Sequence, residues 1–257
     1  MDARQNDSRT AISSLVSTHL ARSVYASRLS EFSDFTFADH AAFQFRGAWR
    51  DYFRRRIGPA FDGQIILEIG CFNAVYLSKI AAKYPTIAFI GLDWKCKPIY
   101  DGAQRVAGLG LNNVALLRAR GQDLPRIFAE SEVDEIWVFH PEPCDHDPKS
   151  QSCLIGDAFL GNAHQALRKT SSVLAFKTDR FDYYQWMLNL FEFREGADDR
   201  ISVRNRFDIA FASPSYWQDP AAIRHTRSRC FWGEVTAYEN RFLKKRLAIH
   251  YVELRKR

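Results

Sequence analysis

The sequence predicts an α/β fold with a doubly wound, mostly parallel sheet. Two apolar runs, Ile65–Ile69 and Ala88–Asp93, have the length of buried strands, and residues 75–84 between them have helical spacing. Strands and helices then continue to alternate along the chain, which is typical of a parallel sheet with helices on both faces. Residues 247–254 alternate apolar and polar side chains and predict a half-exposed antiparallel last strand.

The other elements follow in order. An amphipathic helix is expected within residues 12–29, a helix over 101–109, a strand over 114–117, a short helix up to residue 130, a strand over Glu135–Phe139, a helix over 157–167 and a strand over 173–176. Residues 1–60 are predicted to form a helical and aromatic extension that packs on a core domain of residues 61–257.

The composition is that of a globular protein, with 46% hydrophobic residues in a chain of 257. No apolar stretch approaches the length of a membrane span, and five scattered cysteines favour a reducing compartment over a disulfide framework. We therefore expect a cytoplasmic protein with no membrane partner. The net charge of +6 is compatible with an anionic partner, but 36 basic residues interspersed with 30 acidic ones do not establish nucleic-acid binding.

The ends of the first two core strands predict a site for a nucleotide-like ligand. Gly70 closes the first strand, and a turn there brings backbone N–H groups and a helix N-terminus to a ligand. Asp93 closes the next strand about 20 residues later, from where a carboxylate accepts hydrogen bonds from ribose hydroxyls. The turn has one glycine where a dinucleotide site has two or three, so spacing alone does not separate ligand binding from packing.

Three further motifs resemble those of the bacterial tRNA (guanine-N7)-methyltransferase family. They are FHPEP at 139–143 after the fourth strand, Thr178-Asp179 after the fifth, and TAYENR at 236–241 near the C-terminus. The resemblance runs in the same order from Ile65 to the C-terminus. It implies a class I methyltransferase, a Rossmann-like fold with seven strands, with S-adenosylmethionine as cofactor and a ring nitrogen of guanine as methyl acceptor.

The resemblance also implies residue roles. The implied cofactor-binding residues are Glu68, Gly70, Phe72, Asp93, Trp94, Arg120, Gln122, Asp123 and His140. The implied substrate-binding residues are His140, Thr178, Asp179, Thr236, Tyr238, Glu239 and Arg241, and the implied catalytic residues are Asp179 and Glu142. Glu239 would accept the N1–H and N2–H₂ edge of guanine, which rejects adenine. Because N7 carries a lone pair and no proton, positioning is the enzyme's main task.

One departure from the family affects the expected substrate. Residues 144–152 read CDHDPKSQS, where the family carries a basic run that meets the tRNA backbone. Since phosphate contacts dominate nucleic-acid affinity, a small guanine-like heterocycle is ranked slightly ahead of tRNA. If tRNA is the substrate, the replacement contacts are expected from residues 46–56, 244–246 and 255–257. A binding protein that keeps the fold without using the cofactor remains the third alternative.

Two local patterns admit a second interpretation. Residues 43–56 mix arginines with aromatics, which suits phosphates and bases, but an amphipathic helix with Trp49 and Phe53 inward and its arginines in solvent is favoured. His140, Cys144, Asp145 and His146 are metal-ligand types, yet their spacing matches no common metal motif, so no metal is predicted.

Overall fold

The computed structural model describes residues 23–142, 154–168, 172–191, 205–226, 228–231 and 234–257. The strands are β1 (Thr36–Ala38), β2 (Ile65–Ile69), β3 (Ala88–Asp93), β4 (Val114–Arg118), β5 (Glu135–Phe139), β6 (Val173–Thr178), β7 (Phe207–Ser213) and β8 (His250–Lys256). The α-helices are α1 (Val24–Arg28), α2 (Trp49–Ile57), α3 (Val75–Lys83), α4 (Cys96–Gly108), α5 (Leu124–Ile127), α6 (Asp157–Ala166), α7 (Phe181–Asn189), α8 (Ala222–His225) and α9 (Ala237–Lys244).

All these strands belong to one sheet, in the order β1-β4-β3-β2-β5-β6-β8-β7. β8 runs antiparallel to both of its neighbours, and the other paired strands are parallel. The predicted doubly wound sheet with an antiparallel last strand is therefore confirmed. The expected seven strands become eight, because Thr36–Ala38 from the predicted N-terminal extension pairs with β4 at the sheet edge.

Hydrophobic clusters cover both faces of the sheet. Alternate residues of β2 divide between them, with Ile65 and Leu67 in one cluster and Ile66 in the other. α2, α6 and α7 contribute to the first cluster, and α3 and α4 to the second. Trp49 and Phe53 are fully buried in the first cluster, which confirms that α2 is an amphipathic helix with these two side chains inward.

Some element boundaries differ from the predicted ones. α4 begins at Cys96, five residues before the predicted start at residue 101. Pro98 is tolerated there because it lies in the first turn, where the backbone N–H groups have no partner within the helix. β7 was not predicted, since it is an edge strand whose register shifts at Ile209 and whose alternation is irregular. Residues 12–22 of the expected N-terminal helix lie outside the described residues. No helix among those described is long and apolar enough to cross a membrane.

Candidate active site

A cleft of about 660 Å³ opens at the carboxyl edge of the parallel strands. Its walls come from the turns that follow β2, β3, β4, β5 and β6 and from the start of α9. Twelve of the predicted site residues line it: Glu68, Gly70, Phe72, Asp93, Trp94, Arg120, Gln122, His140, Glu142, Asp179, Thr236 and Tyr238. Parallel sheets bind ligands at this edge, so the topology brings together residues that are far apart in the sequence.

The turn between β2 and α3 adopts left-handed backbone conformations at three positions. Gly70 has φ +81°, Phe72 φ +49° and Ala74 φ +51°, although only the first is a glycine. Such conformations are costly for residues with side chains and cluster at functional sites. The backbone N–H of Phe72 donates to Oδ2 of Asp93 at 3.1 Å, which ties the turn to the end of β3. Gly70 and the carboxylate of Asp93 thus shape this turn, whereas the dinucleotide motif uses two or three glycines at the same place.

Asp93 is held in place by backbone donors. Its Oδ1 accepts the N–H of Lys95 at 2.9 Å, and its Oδ2 accepts that of Phe72. Burial raises the pKa of Asp93, and the two backbone hydrogen bonds oppose that rise. A carboxylate has about four lone-pair sites, so two remain after these bonds. Asp93 lines the cleft, and a carboxylate there suits a pair of hydroxyl donors.

Glu68 is a buried carboxylate on the floor of the cleft. It is 4% exposed, and its Oε2 atom has no hydrogen-bond partner among the described residues. Burial raises the pKa of Glu68 to about 8, and the nearby positive charge of Lys177 counteracts this effect. An orphaned carboxylate oxygen in a low-dielectric site is a strong acceptor for a cationic ligand group.

The segment after β4 lies beside the Asp93 side of the cleft. Arg120 and Gln122 are exposed and line the cleft. Asp123 does not line it: its Oδ2 accepts the N–H of Arg120 at 3.2 Å, and its Oδ1 lies 3.5 Å from Arg126. Its carboxylate therefore closes a local turn. Trp94 is 52% exposed at the mouth of the cleft.

His140 and Asp179 form a pair on the opposite side of the cleft. Nδ1 of His140 lies 3.3 Å from Oδ1 of Asp179, and this hydrogen bond lowers the pKa of Asp179. His140 has φ +47°, and its backbone N–H donates to the carbonyl of Lys177 at 2.8 Å. Its Nε2 is buried without a hydrogen-bond partner in the described part of the chain. Glu142 is exposed at the rim, with Oε1 3.4 Å from Nζ of Lys95.

The TAYENR motif begins α9. Thr236 and Glu239 form a capping box: the N–H of Glu239 donates to Oγ1 of Thr236 at 3.0 Å, and the N–H of Thr236 donates to Oε2 of Glu239 at 2.8 Å. Glu239 is fully buried and is absent from the described lining of the cleft. Its Oε1 lies 3.2 Å from Nζ of Lys177, which is also fully buried. The structure therefore places this carboxylate beneath the cleft, where it orders the start of α9.

Lys177 extends the buried polar network under the cleft. Its Nζ donates to the carbonyl of Cys230 at 3.0 Å, and Tyr76 donates its hydroxyl to the same carbonyl. The sequence interpretation missed Lys177, because it ended the fifth core strand at Phe176. A charged residue in the continuation of an apolar strand was the available signal. Thr178 is also buried, and its Oγ1 accepts the N–H of Arg180 at 3.1 Å.

Most of two of the three basic segments expected to contact RNA lies at the amino edge of the sheet, while Arg46, at the start of the first segment, donates to the carbonyl of Pro125 at 2.9 Å in the segment after β4. Arg50 pairs with Asp134, directly before β5, at 3.0 Å, and α2 thus flanks the amino edge. Arg255 is in register with Val173, the first residue of β6, so the C-terminal cluster lies at that edge too. The cleft is at the carboxyl edge, roughly 16 Å away for a five-residue strand. Residue order could not show this, because edge and register depend on tertiary pairing.

The loop of residues 144–152, including Cys144, Asp145 and His146, lies outside the described residues. Within the described ranges there is no group of three or more His, Cys, Asp or Glu residues that could hold a metal ion.

The doubly wound sheet and the cleft at its carboxyl edge agree with the family match, and together they identify a class I S-adenosylmethionine-dependent methyltransferase. The chain belongs to the family described as putative methyltransferase, whose model matches residues 62–203. A tRNA (guanine-N(7)-)-methyltransferase of Cytophaga hutchinsonii is 28% identical over 209 residues, which are 81% of this chain and 85% of that protein. A protein of the same name from Porphyromonas gingivalis is 29% identical over 213 residues, 82% of this chain and 77% of that protein.

A solved structure shares the fold. It is that of an antibiotic-related methyltransferase, with a TM-score of 0.53 and 17% identity, and the similarity covers 81% of this chain and 94% of the other. These comparisons confirm the expected family, enzyme class and cofactor. They do not support the ranking of a small heterocycle ahead of tRNA, because the relatives that cover most of this chain are named for tRNA.

The residues of the cleft fit S-adenosylmethionine. This cofactor carries a positive sulfonium, an ammonium group and two ribose hydroxyls. The orphaned Oε2 of Glu68 suits a cation, and the remaining lone pairs of Asp93 suit a hydroxyl pair. The two carboxylates stand at the ends of adjacent strands, β2 and β3, and both line the same cleft.

Proposed function

We propose that the protein transfers a methyl group from S-adenosylmethionine to N7 of a guanosine in tRNA. The observation that carries the proposal is the pair of Asp179 and His140, which faces the cofactor residues Glu68 and Asp93 across one cleft. The names of the relatives support tRNA as the substrate. A small heterocycle finds no comparable support, and membership of a methyltransferase family speaks against a protein without catalytic activity.

In this proposal the cleft is divided between two ligands. Bound S-adenosylmethionine supplies an electrophilic methyl group. Glu68, Gly70 and Asp93 would hold the cofactor, and an edge formed by Phe72, Trp94, Arg120 and Gln122 would enclose it. The target base enters on the side of His140, Asp179, Thr236 and Tyr238. Tyr238 is 46% exposed at the mouth of the cleft, and its ring offers a stacking surface to a base drawn out of its helix.

Asp179 has the properties needed to recognise guanine. Its hydrogen bond with His140 lowers its pKa, so it is ionised at neutral pH and only accepts hydrogen bonds. An ionised carboxylate matches the N1–H and N2–H₂ edge of guanine and opposes the edge of adenine, which presents an acceptor at N1. Because N7 has no proton to lose, no general base is required. His140 fixes the orientation of Asp179, and Glu142 at the rim is proposed as a further handle for the substrate.

We assign Glu239 a different task from the one the resemblance implied. Its oxygens already contact the backbone N–H of Thr236 and the ammonium group of Lys177. Its burial keeps it from the base unless α9 unwinds. It therefore positions Thr236 and Tyr238 at the rim, and the guanine edge passes to Asp179.

Labelled methyl transfer tests the substrate. An unmodified tRNA transcript and a panel of guanine, guanosine and GTP are offered separately with S-adenosylmethionine carrying a labelled methyl group. We expect label in tRNA at a rate that falls with rising salt, since RNA binding releases counterions. Label in a free purine and none in tRNA would favour the small-molecule alternative. Label in neither the tRNA nor the guanine compounds would show that the proposed substrate class is wrong.

A further inference from the structure

We propose that the exposed face of α9 and the turn directly after it, from Tyr238 to Arg246, is the surface that binds the RNA backbone next to the target base. The inference rests on the proposed function and goes beyond it, because it assigns the phosphate contacts to one helix. Residues 244–246 lie on the cleft side of the sheet, because they precede β8, whose first residue His250 is in register with Thr178 at the carboxyl end of β6. Those of α2 and the C-terminus flank the amino edge.

α9 starts inside the cleft and leads away from it. Thr236, Ala237 and Tyr238 line the cleft, and the helix ends at Lys244. Eight helical residues span about 12 Å. A stacked strand rises about 3.4 Å per nucleotide, so this length covers roughly three or four phosphates. A base seated beside Tyr238 would therefore have its neighbouring phosphates along the helix.

The charged side chains occupy one side of α9. Glu239 is buried and Phe242 half-buried, while Tyr238, Arg241 and Lys245 are exposed. Tyr238 and Arg241 are three positions apart and lie on one helical face, and Lys245, the C-cap residue, follows four positions later. The guanidinium of Arg241 lies 5.8 Å from the centre of the Tyr238 ring. The face therefore begins with an aromatic ring at the cleft and continues as a row of cations.

These cations have no acidic partners in the ranges that the structure describes. Lys244, Lys245 and Arg246 are all exposed, and no ion pair joins them to a described carboxylate. Some basic side chains elsewhere are paired with carboxylates: Arg54 with Asp51, and Arg257 with Asp208. A basic last turn also stabilises a helix through its dipole. The test must separate this role from RNA binding.

The matched variants are Lys244→Gln/Lys245→Gln and, as control, Arg54→Gln/Arg55→Gln. Both remove two exposed cations at the C-terminal end of a helix, so dipole effects are comparable. The measurements are KM and kcat for the tRNA transcript, cofactor affinity by calorimetry, and the salt dependence of tRNA binding. We expect the α9 variant to raise KM about tenfold or more. The slope of log affinity for tRNA against log salt concentration should become shallower by about 1 to 2, since each lost phosphate contact lowers its magnitude by close to 1.

The control should match the wild type, and kcat at saturating tRNA and cofactor affinity should stay unchanged in both variants. Lys244→Arg/Lys245→Arg should restore the wild-type KM. If the wild type methylates tRNA and the α9 variant keeps its KM and salt slope, the surface assignment is wrong while the proposed function stands. Equal losses in both double variants would also overturn it, since they would indicate general charge. Absence of transfer to tRNA in the wild type would instead refute the proposed function.

Discussion

Replacing Asp93 by Asn tests the cofactor half of the cleft. The carboxylate accepts the backbone N–H groups of Lys95 and Phe72 and keeps two lone-pair sites for the ribose. The Asn amide loses the negative charge and turns one acceptor into a donor, which must face a backbone N–H or a hydroxyl. Hydrogen bonds to charged groups contribute about 1.5 to 3 kcal/mol, part of which the Asn oxygen retains. We expect cofactor affinity to fall roughly 10- to 100-fold, or about 1.4 to 2.8 kcal/mol.

Calorimetric titration with S-adenosylhomocysteine measures this loss directly. The matched control is Asp101→Asn, which removes the same charge from an α4 side chain that pairs with Lys97 at the surface. It should leave the dissociation constant within twofold of the wild type. A wild-type dissociation constant for Asp93→Asn would refute the reasoning, because it would mean that the ribose is held elsewhere. A folded Asp93→Asn protein, checked by circular dichroism, is required for the comparison.

Three further predictions concern buried and ionised groups. In the cofactor-free protein, with no ligand cation beside it, folded Glu68 keeps its proton up to a pKa of about 8, whereas the unfolded chain loses it near 4.5, so stability should fall as pH rises between these values. The unfolding free energy of the cofactor-free wild type, measured relative to that of Glu68→Gln, should fall by about 1 to 3 kcal/mol between pH 5 and pH 8. A difference between the two proteins that does not change with pH would contradict the burial argument. Lys177→Met should destabilise the protein by about 3 to 5 kcal/mol in denaturant unfolding, because it leaves Glu239 unpaired, and adding Glu239→Gln should recover part of the loss; no recovery would mean the two are not coupled. Asp179→Asn should lower kcat/KM for tRNA by about 100-fold or more and leave cofactor affinity unchanged. If kcat/KM stays at the wild-type value, another residue recognises the guanine edge.

The sequence predicts the sheet well where strands are apolar and central. β2 and β5 are buried along their whole length and β3 as far as Leu92, so their runs stand out. β1 and β7 were missed, because a three-residue strand and an irregular edge strand carry little periodicity. The carboxyl ends of parallel strands then locate the cleft without further information.

The roles within the cleft are harder to obtain from sequence. Asp93 follows from its place at a strand end. The role of Glu239 cannot be predicted in this way, because a Thr followed three residues later by a Glu occurs both in the family motif and in a helix capping box. Only the structure shows that Lys177 draws the Glu239 carboxylate inward. The basic segments could not be ranked either, since their positions at opposite edges depend on how β8 pairs with β6.

Substitution of the acceptor atom tests the central claim most directly. Two transcripts of the same tRNA are compared, one with guanosine throughout and one with 7-deazaguanosine, in which a C–H group replaces N7. Base pairing and backbone charge are the same in both, so binding through Asp179 and α9 should be preserved. We predict labelled methyl transfer to the first transcript and none to the second, with the 7-deaza transcript acting as a competitive inhibitor. Equal transfer to both would contradict methylation at N7.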